Sequence, residues 1–163
     1  ANCAVYDPLP AQCEIGREIR LPDAGYGRIG RTRALEPPAV IVETLIQEPT
    51  DGLTLVLGTG EFMHAAYVLG RALEKAGIQV RVQATTRSPI MRWGAVKQVL
   101  DVPDPYAEGV PNYLYNVEAG QYSRVLICHE TLPNASLFQL ARKINGRLIH
   151  FRSNDSAEEI PVR

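Results

Sequence analysis

At 163 residues and 45% hydrophobic, the chain is long enough to bury one sizeable core, and no apolar run reaches the roughly 18 residues that a membrane span needs. Seventeen basic against eighteen acidic side chains leave a net charge of -1, so no bulk electrostatic drive toward nucleic acid or acidic lipid is evident. Cys3, Cys13 and Cys128 are an odd set without metal-ligand spacing, which makes a reduced, cytoplasmic setting the default expectation.

The chain begins at Ala1, without a methionine or a signal-type apolar stretch, and the expectation is a processed chain or a piece of a longer one. Residues 20–33 are rich in glycine and arginine (Gly25, Gly27, Arg28, Gly30, Arg31, Arg33) and too polar to pack as a regular element. They are expected to be disordered or to form an extended arm, on the surface or on a second copy. Glu36-Pro37-Pro38 then introduces Val40, Ile41, Val42, Leu45 and Ile46, read as a helix with proline in its first turn and ended by Pro49 and Asp51-Gly52. A strand is the alternative.

Residues 53–57 form a short apolar run that stops at Gly58, the pattern of a strand buried on both faces. Phe62, Ala65, Ala66, Leu69, Ala72, Leu73 and Ala76 recur at spacings of three and four, which predicts one apolar helical face, and Gly77 supplies a left-handed stop. Ile78, Val80 and Val82 then alternate with Gln79, Arg81 and Gln83, as in a half-buried or edge strand. Strand, helix and strand with short joints predict a right-handed βαβ unit.

A second unit follows. Residues 124–128 read as another buried strand in which Cys128 is a small apolar filler, and His129-Glu130-Thr131 ends it. Asn134 is the N-cap of a helix with Leu137, Leu140, Ala141 and Ile144 on one face; Asn145-Gly146 closes it before a last strand over 147–152. This alternation predicts a mainly parallel, three-layer, Rossmann-like α/β sandwich. The predicted organisation is an N-terminal arm, loop and helix (1–50), an α/β domain (51–152) and a C-terminal tail (153–163).

Three motifs stand out in order: GTGEFMH at 58–64, TTRSP at 85–89 and GVPNYLYN at 109–116. Together they resemble the TRSP domain, a module named for that pentapeptide and found carboxyl-terminal to a phosphoribosyltransferase domain, over about residues 50–152. The resemblance implies association with tellurium-resistance and stress-response gene clusters, and a part in making or processing a nucleotide-like metabolite. It also implies a phosphoribosyltransferase domain as partner, in the same or another chain.

The residues themselves suggest how such a ligand is held. Ligands of open α/β sheets bind outside the carboxyl ends of the strands, where both polar clusters fall. Gly58, Thr59 and Gly60 at a strand-to-helix turn let backbone amides approach a phosphate, although neither a third glycine nor a Gly-Lys-Ser/Thr sequence is present. Thr85, Thr86, Arg87 and Ser88 offer three hydroxyls and a planar guanidinium suited to phosphate; the plain alternative is an ordinary polar loop. Asn112, Tyr113, Tyr115 and Asn116 stack on and hydrogen-bond a base or sugar, or else pack a loop over the sheet. For proton transfer the candidates are Glu61, His64 and His129, against a helix-capping role for Glu61 and a partly exposed helix histidine at 64. No spacing of His64, His129 and Glu61 demands a metal, and no cofactor is assigned.

Two other classes remain open: an NADP- or S-adenosylmethionine-dependent enzyme, with Arg87 taking a 2'-phosphate, and a non-catalytic module that docks on the phosphoribosyltransferase. The partners expected are therefore a phosphorylated ribose or nucleotide-like molecule and that transferase domain, with a homo-oligomer left open, and neither nucleic acid nor a membrane.

Overall fold

The computed structural model describes residues 36–60, 62–153 and 156–162. The Gly/Arg-rich segment 20–33 and the candidate Glu61 lie outside the described residues. Pro38 is the N-cap of helix α1 (Ala39–Gln47), which buries Ile41 and Leu45; the helical reading of this segment holds. Strand β1 (Thr54–Gly58) is buried at all five positions. Helix α2 (Met63–Lys75) turns Ala65, Ala66, Leu69, Gly70 and Leu73 inward, and a Cβ on Gly70 would stand 2.5 Å from Val82 Cγ2, so the helix lies close on the sheet. Gly77, at φ +89°, ends it by adopting a backbone conformation that costs other residues steric strain.

Strand β2 (Val80–Ala84) is followed by β3 (Val99–Val102), β4 (Asn112–Tyr115), β5 (Arg124–His129), α3 (Ala135–Ile144), β6 (Arg147–Ser153) and β7 (Ser156–Ile160). The main sheet has the order β2-β1-β5-β6-β7, parallel throughout except for the antiparallel pair β6 and β7. The edge character expected of β2 is observed, and β5 and β6 lie where their apolar runs predict. Two features depart from strict alternation of strand and helix. Between β2 and β5 the chain forms no helix but a separate antiparallel pair, β3 with β4. Within the segment read as a tail, residues 156–160 add the fifth strand.

Period-two alternation sends the side chains of each central strand to opposite faces. Val56, Leu126, Cys128, Ile149 and Phe151 pack with α1 and α2, while Leu55, Leu57, Val125, Ile127 and Leu148 pack with α3 and with Val102 and Leu114 of the small sheet. Leu45 of α1 belongs to the first cluster, and Ala157 of β7 packs against it.

The base of the sheet is tied by charge. Buried Arg124 donates to Leu45 O (2.8 Å) and lies 3.5 Å from Glu48, which also pairs with Arg147; Arg147 in turn pairs with Glu159. The hydrogen bond from Arg147 holds the Glu48 carboxyl below its ordinary value near 4.5, against the opposing effect of burial. A depressed folded pKa means stability that is present above the unfolded value and lost as pH falls through the folded one. Glu48→Gln is therefore expected to lower stability by about 1–2 kcal/mol at pH 7, less than for a fully buried pair because the carboxylate is a third exposed. The cost shrinks in acid; an equal cost at pH 7 and pH 3 in urea titrations would contradict it.

Candidate functional site at the carboxyl edge of the sheet

Parallel register brings Gly58 beside both Ala84 and Cys128, so β1, β2 and β5 end together. The ladder continues past the strands: Thr85 N–H donates to Gly58 O (2.9 Å) and Thr59 N–H to Cys128 O (3.2 Å). The glycine turn and the TRSP loop then meet directly, Gly60 N–H donating to Thr85 Oγ1 at 2.6 Å. The shared edge predicted for the two motifs is observed.

Strand order shows where this edge opens. After β1 the chain runs to α2 on one face and to β2 on one side; after β5 it runs to α3 on the other face and to β6 on the other side. The loops leaving β1 and β5 therefore diverge, which is the arrangement that forms a ligand crevice in open α/β sheets. Tyr106 lies across it. Its hydroxyl is 3.3 Å from Thr59 O and 3.2 Å from Glu130 Oε1, one contact on each diverging loop. Its ring covers Gly60, where a Cβ would come within 2.8 Å, and the Arg87 guanidinium stands 5.8 Å from the ring centroid.

The candidate residues divide into those that build this edge and those that stand elsewhere. Thr59 and Thr85 are buried, and with Gly60 their groups are joined to one another and to β5, so the turn bonds its own Thr59 and Gly60 amides within the protein. Thr86 pairs with Tyr113 through both backbone groups, and its hydroxyl accepts from Ser88 N–H (3.1 Å). Arg87 is ion-paired with Glu108. Asn112, Tyr113 and Tyr115 belong to β4, with Asn116 just after it at φ +55°. Tyr115 Oη donates to Ser88 O and accepts from Ile90 N–H, both at 2.7 Å, while Asn116 Oδ1 accepts from Lys97 and Gln98. These two side chains fasten the segment after the TRSP motif to β4. Asn112 is buried, donating to Val110 O.

His64 is exposed, stacks on Tyr67 and lines a groove of about 580 Å³ between α1 and α2. His129 is fully buried, its Nδ1 2.9 Å from Thr131 O and its ring stacked at 5.0 Å on His150 of β6. Burial, outweighing the Thr131 hydrogen bond, pushes its pKa down to about 4, so it is neutral at pH 7. Cys128 is wholly buried, and burial raises its thiol pKa, which removes thiolate chemistry. Among the described residues no group of three or more His, Cys, Asp or Glu is placed to hold a metal, and no helix is long and apolar enough to cross a membrane.

Sequence reasoning read residues 103–111 as a Pro/Gly-rich loop but missed Tyr106 and Glu108, which that loop carries. Asp104 organises that loop by accepting from Tyr106, Glu108 and Val110 N–H. Asn134, besides capping α3 at Leu137, donates to Pro105 O (2.9 Å). The Asp104-Pro105 dipeptide is a turn-initiating signal that marks the start of this loop, but nothing local says that Tyr106 reaches β1 and β5.

These features define a mixed α/β domain with a five-stranded, mainly parallel sheet, and with loops that diverge at its carboxyl edge and are bridged by Tyr106. The chain belongs to the family described as "TRSP domain C terminus to PRTase_2", whose family model matches residues 29–143. The match reaches further upstream than the three motifs, through α1, and takes in the whole site. No curated protein matches the chain.

Proposed function

We propose that this domain binds a phosphorylated ribose or nucleotide-like ligand in the crevice between β1 and β5, in the service of the phosphoribosyltransferase with which its family is associated. The observation that carries the reading is the joining of two motifs 25 residues apart, Gly60 N–H to Thr85 Oγ1, at the point where the loops of β1 and β5 diverge. With helices on both faces, the unit is read as a Rossmann-like three-layer sandwich, 51–152 being its centre. Gly58, Thr59 and Gly60 form the floor, and Thr86, Arg87 and Ser88 meet the phosphate. Asn112 to Asn116 shape the wall on the sugar or base side. His129 at the end of β5, His64 in the first turn of α2 and Glu61 are the acid-base candidates.

The test is calorimetric titration with ribose 5-phosphate of the wild type, Arg87→Lys and Arg87→Ala. Loss of a charge-assisted contact is expected to weaken binding by about 1.5–3 kcal/mol, roughly tenfold to a hundredfold, in Arg87→Ala, with partial recovery in Arg87→Lys because the planar fork is lost. Stability changes little, since the Arg87–Glu108 pair is partly exposed. Equal affinity in all three proteins would remove Arg87 from the site.

A second reading, a non-catalytic docking module, is supported by a different observation. Met91 and Trp93, in the segment fastened by Tyr115 and Asn116, are 86% and 84% exposed. Large apolar side chains exposed close together in sequence are a mark of a protein contact when they form one patch. Binding of a phosphoribosyltransferase domain that is lost in Trp93→Ala, without any uptake of ribose 5-phosphate, would favour it.

A further inference from the structure

The atoms that Tyr106 Oη contacts across the crevice are both acceptors, a backbone carbonyl at Thr59 and a carboxylate at Glu130, reached at 3.3 and 3.2 Å. A phenol has one proton and cannot donate fully to both; Thr59 O also accepts from Phe62 N–H at 3.0 Å, and a carbonyl oxygen can accept twice. We propose that Tyr106 stands in the ligand's place, and that Thr59 O and Glu130 form an acceptor pair that recognises a ligand group with two adjacent donors. A vicinal diol of a sugar and an amidine-type edge of a base share that chemistry. The inference rests on the proposed function, and adds to it the part of the ligand that is read and the residue that must leave.

The way Tyr106 is held suggests how it leaves. Its loop is braced by the Asp104 hydrogen bonds and carries Ala107 at φ +58°, a left-handed conformation unfavourable for a residue with a Cβ. The same loop is clamped to the TRSP motif by the Arg87–Glu108 ion pair, with Arg87 beside the Tyr106 ring. An anion that takes Arg87 competes with Glu108 for the guanidinium and so loosens the clamp. A ligand carrying both an anion and a donor pair releases Tyr106 with one end and replaces its hydroxyl with the other.

The experiment compares ribose 5-phosphate with 2-deoxyribose 5-phosphate, and 2'-deoxyguanosine 5'-monophosphate with its 2'-deoxyinosine counterpart, on the wild type, Tyr106→Ala, Tyr106→Phe and Glu130→Gln. The first pair isolates the diol, the second the amino group of the base edge. For the member of one pair that carries both donors, affinity is expected to rise about tenfold in Tyr106→Ala and to fall about tenfold in Glu130→Gln, while its deficient analogue responds to neither change. Tyr106→Phe, which keeps the ring and loses the hydroxyl, gives a smaller rise and serves if the alanine variant does not fold. Equal affinity for both members of each pair, unmoved by Glu130→Gln while phosphate still binds through Arg87, overturns the inference and leaves the proposed function standing. Donor-dependent binding that is indifferent to Arg87→Ala keeps the acceptor pair and removes the phosphate role of Arg87. No binding of any of the four to folded Tyr106→Phe overturns both.

Discussion

Phe151→Ala is expected to cost about 3–5 kcal/mol of folding stability, the largest effect of any single change considered for this chain. Phe151 is fully buried, and its ring meets that of Phe62 edge to face at 5.5 Å and 62°, joining β6 to the start of α2. Truncation loses the transfer free energy of the ring and leaves a cavity between a strand and a helix that cannot both move in to fill it. Phe62 N–H donates to Thr59 O (3.0 Å), so the same cavity lies behind the glycine turn, and binding at the crevice should weaken along with stability. Phe151→Leu keeps most of the volume and is expected to cost less than half as much. Urea unfolding of the three proteins checks this; a loss below about 1 kcal/mol for the alanine variant would mean that the ring does not hold the two elements together.

Acid is expected to destabilise the protein through His129 by about 3 kcal/mol in total. Its Nδ1 donates to Thr131 O, and Nε2 is buried without a hydrogen-bond partner among the described residues. A second proton would place a charge in the core against the parallel ring of His150. The folded-state pKa, about 4, lies below the ordinary value of 6.5, so the folded state takes up its proton later than the unfolded state does. Stability from this group is present in full above pH 6.5 and is lost progressively as pH falls to about 4. His129→Gln removes that component whatever it costs at neutral pH. The difference in unfolding free energy between wild type and variant should therefore change between pH 7 and pH 4, and parallel curves over that range would contradict the assignment.

The central elements were legible because each carries its own period. The apolar run of residues 53–57, the three-and-four spacing from Phe62 to Leu73 and the cap at Asn134 are local signals, and each element lies where its signal predicts. Asn145, rather than Gly146, takes the left-handed conformation that ends α3, while Gly146 admits Ile127, whose Cδ1 would be 2.6 Å from a Cβ there. The short strands β3, β4 and β7 carried no such signal. Four residues do not establish a period, and Ser156–Ile160 contains two consecutive glutamates whose burial partners, Arg147, His150 and Arg152, lie on β6.

The sequence by itself determined the central strands and helices, the family resemblance and the clustering of glycine, threonine and arginine at strand ends, because hydrophobic period and turn chemistry act within a few residues. Only the tertiary structure decided which polar groups meet at the carboxyl edge and which fasten neighbouring segments. Tyr115 and Asn116 are drawn into fastening a neighbouring segment, Arg87 is paired with Glu108, and Tyr106 reaches Thr59 and Glu130, 47 and 24 residues away. A side chain's partner depends on which loops the sheet order brings together. That is set by burial of both faces of the sheet at once, a long-range condition with no local residue pattern of its own.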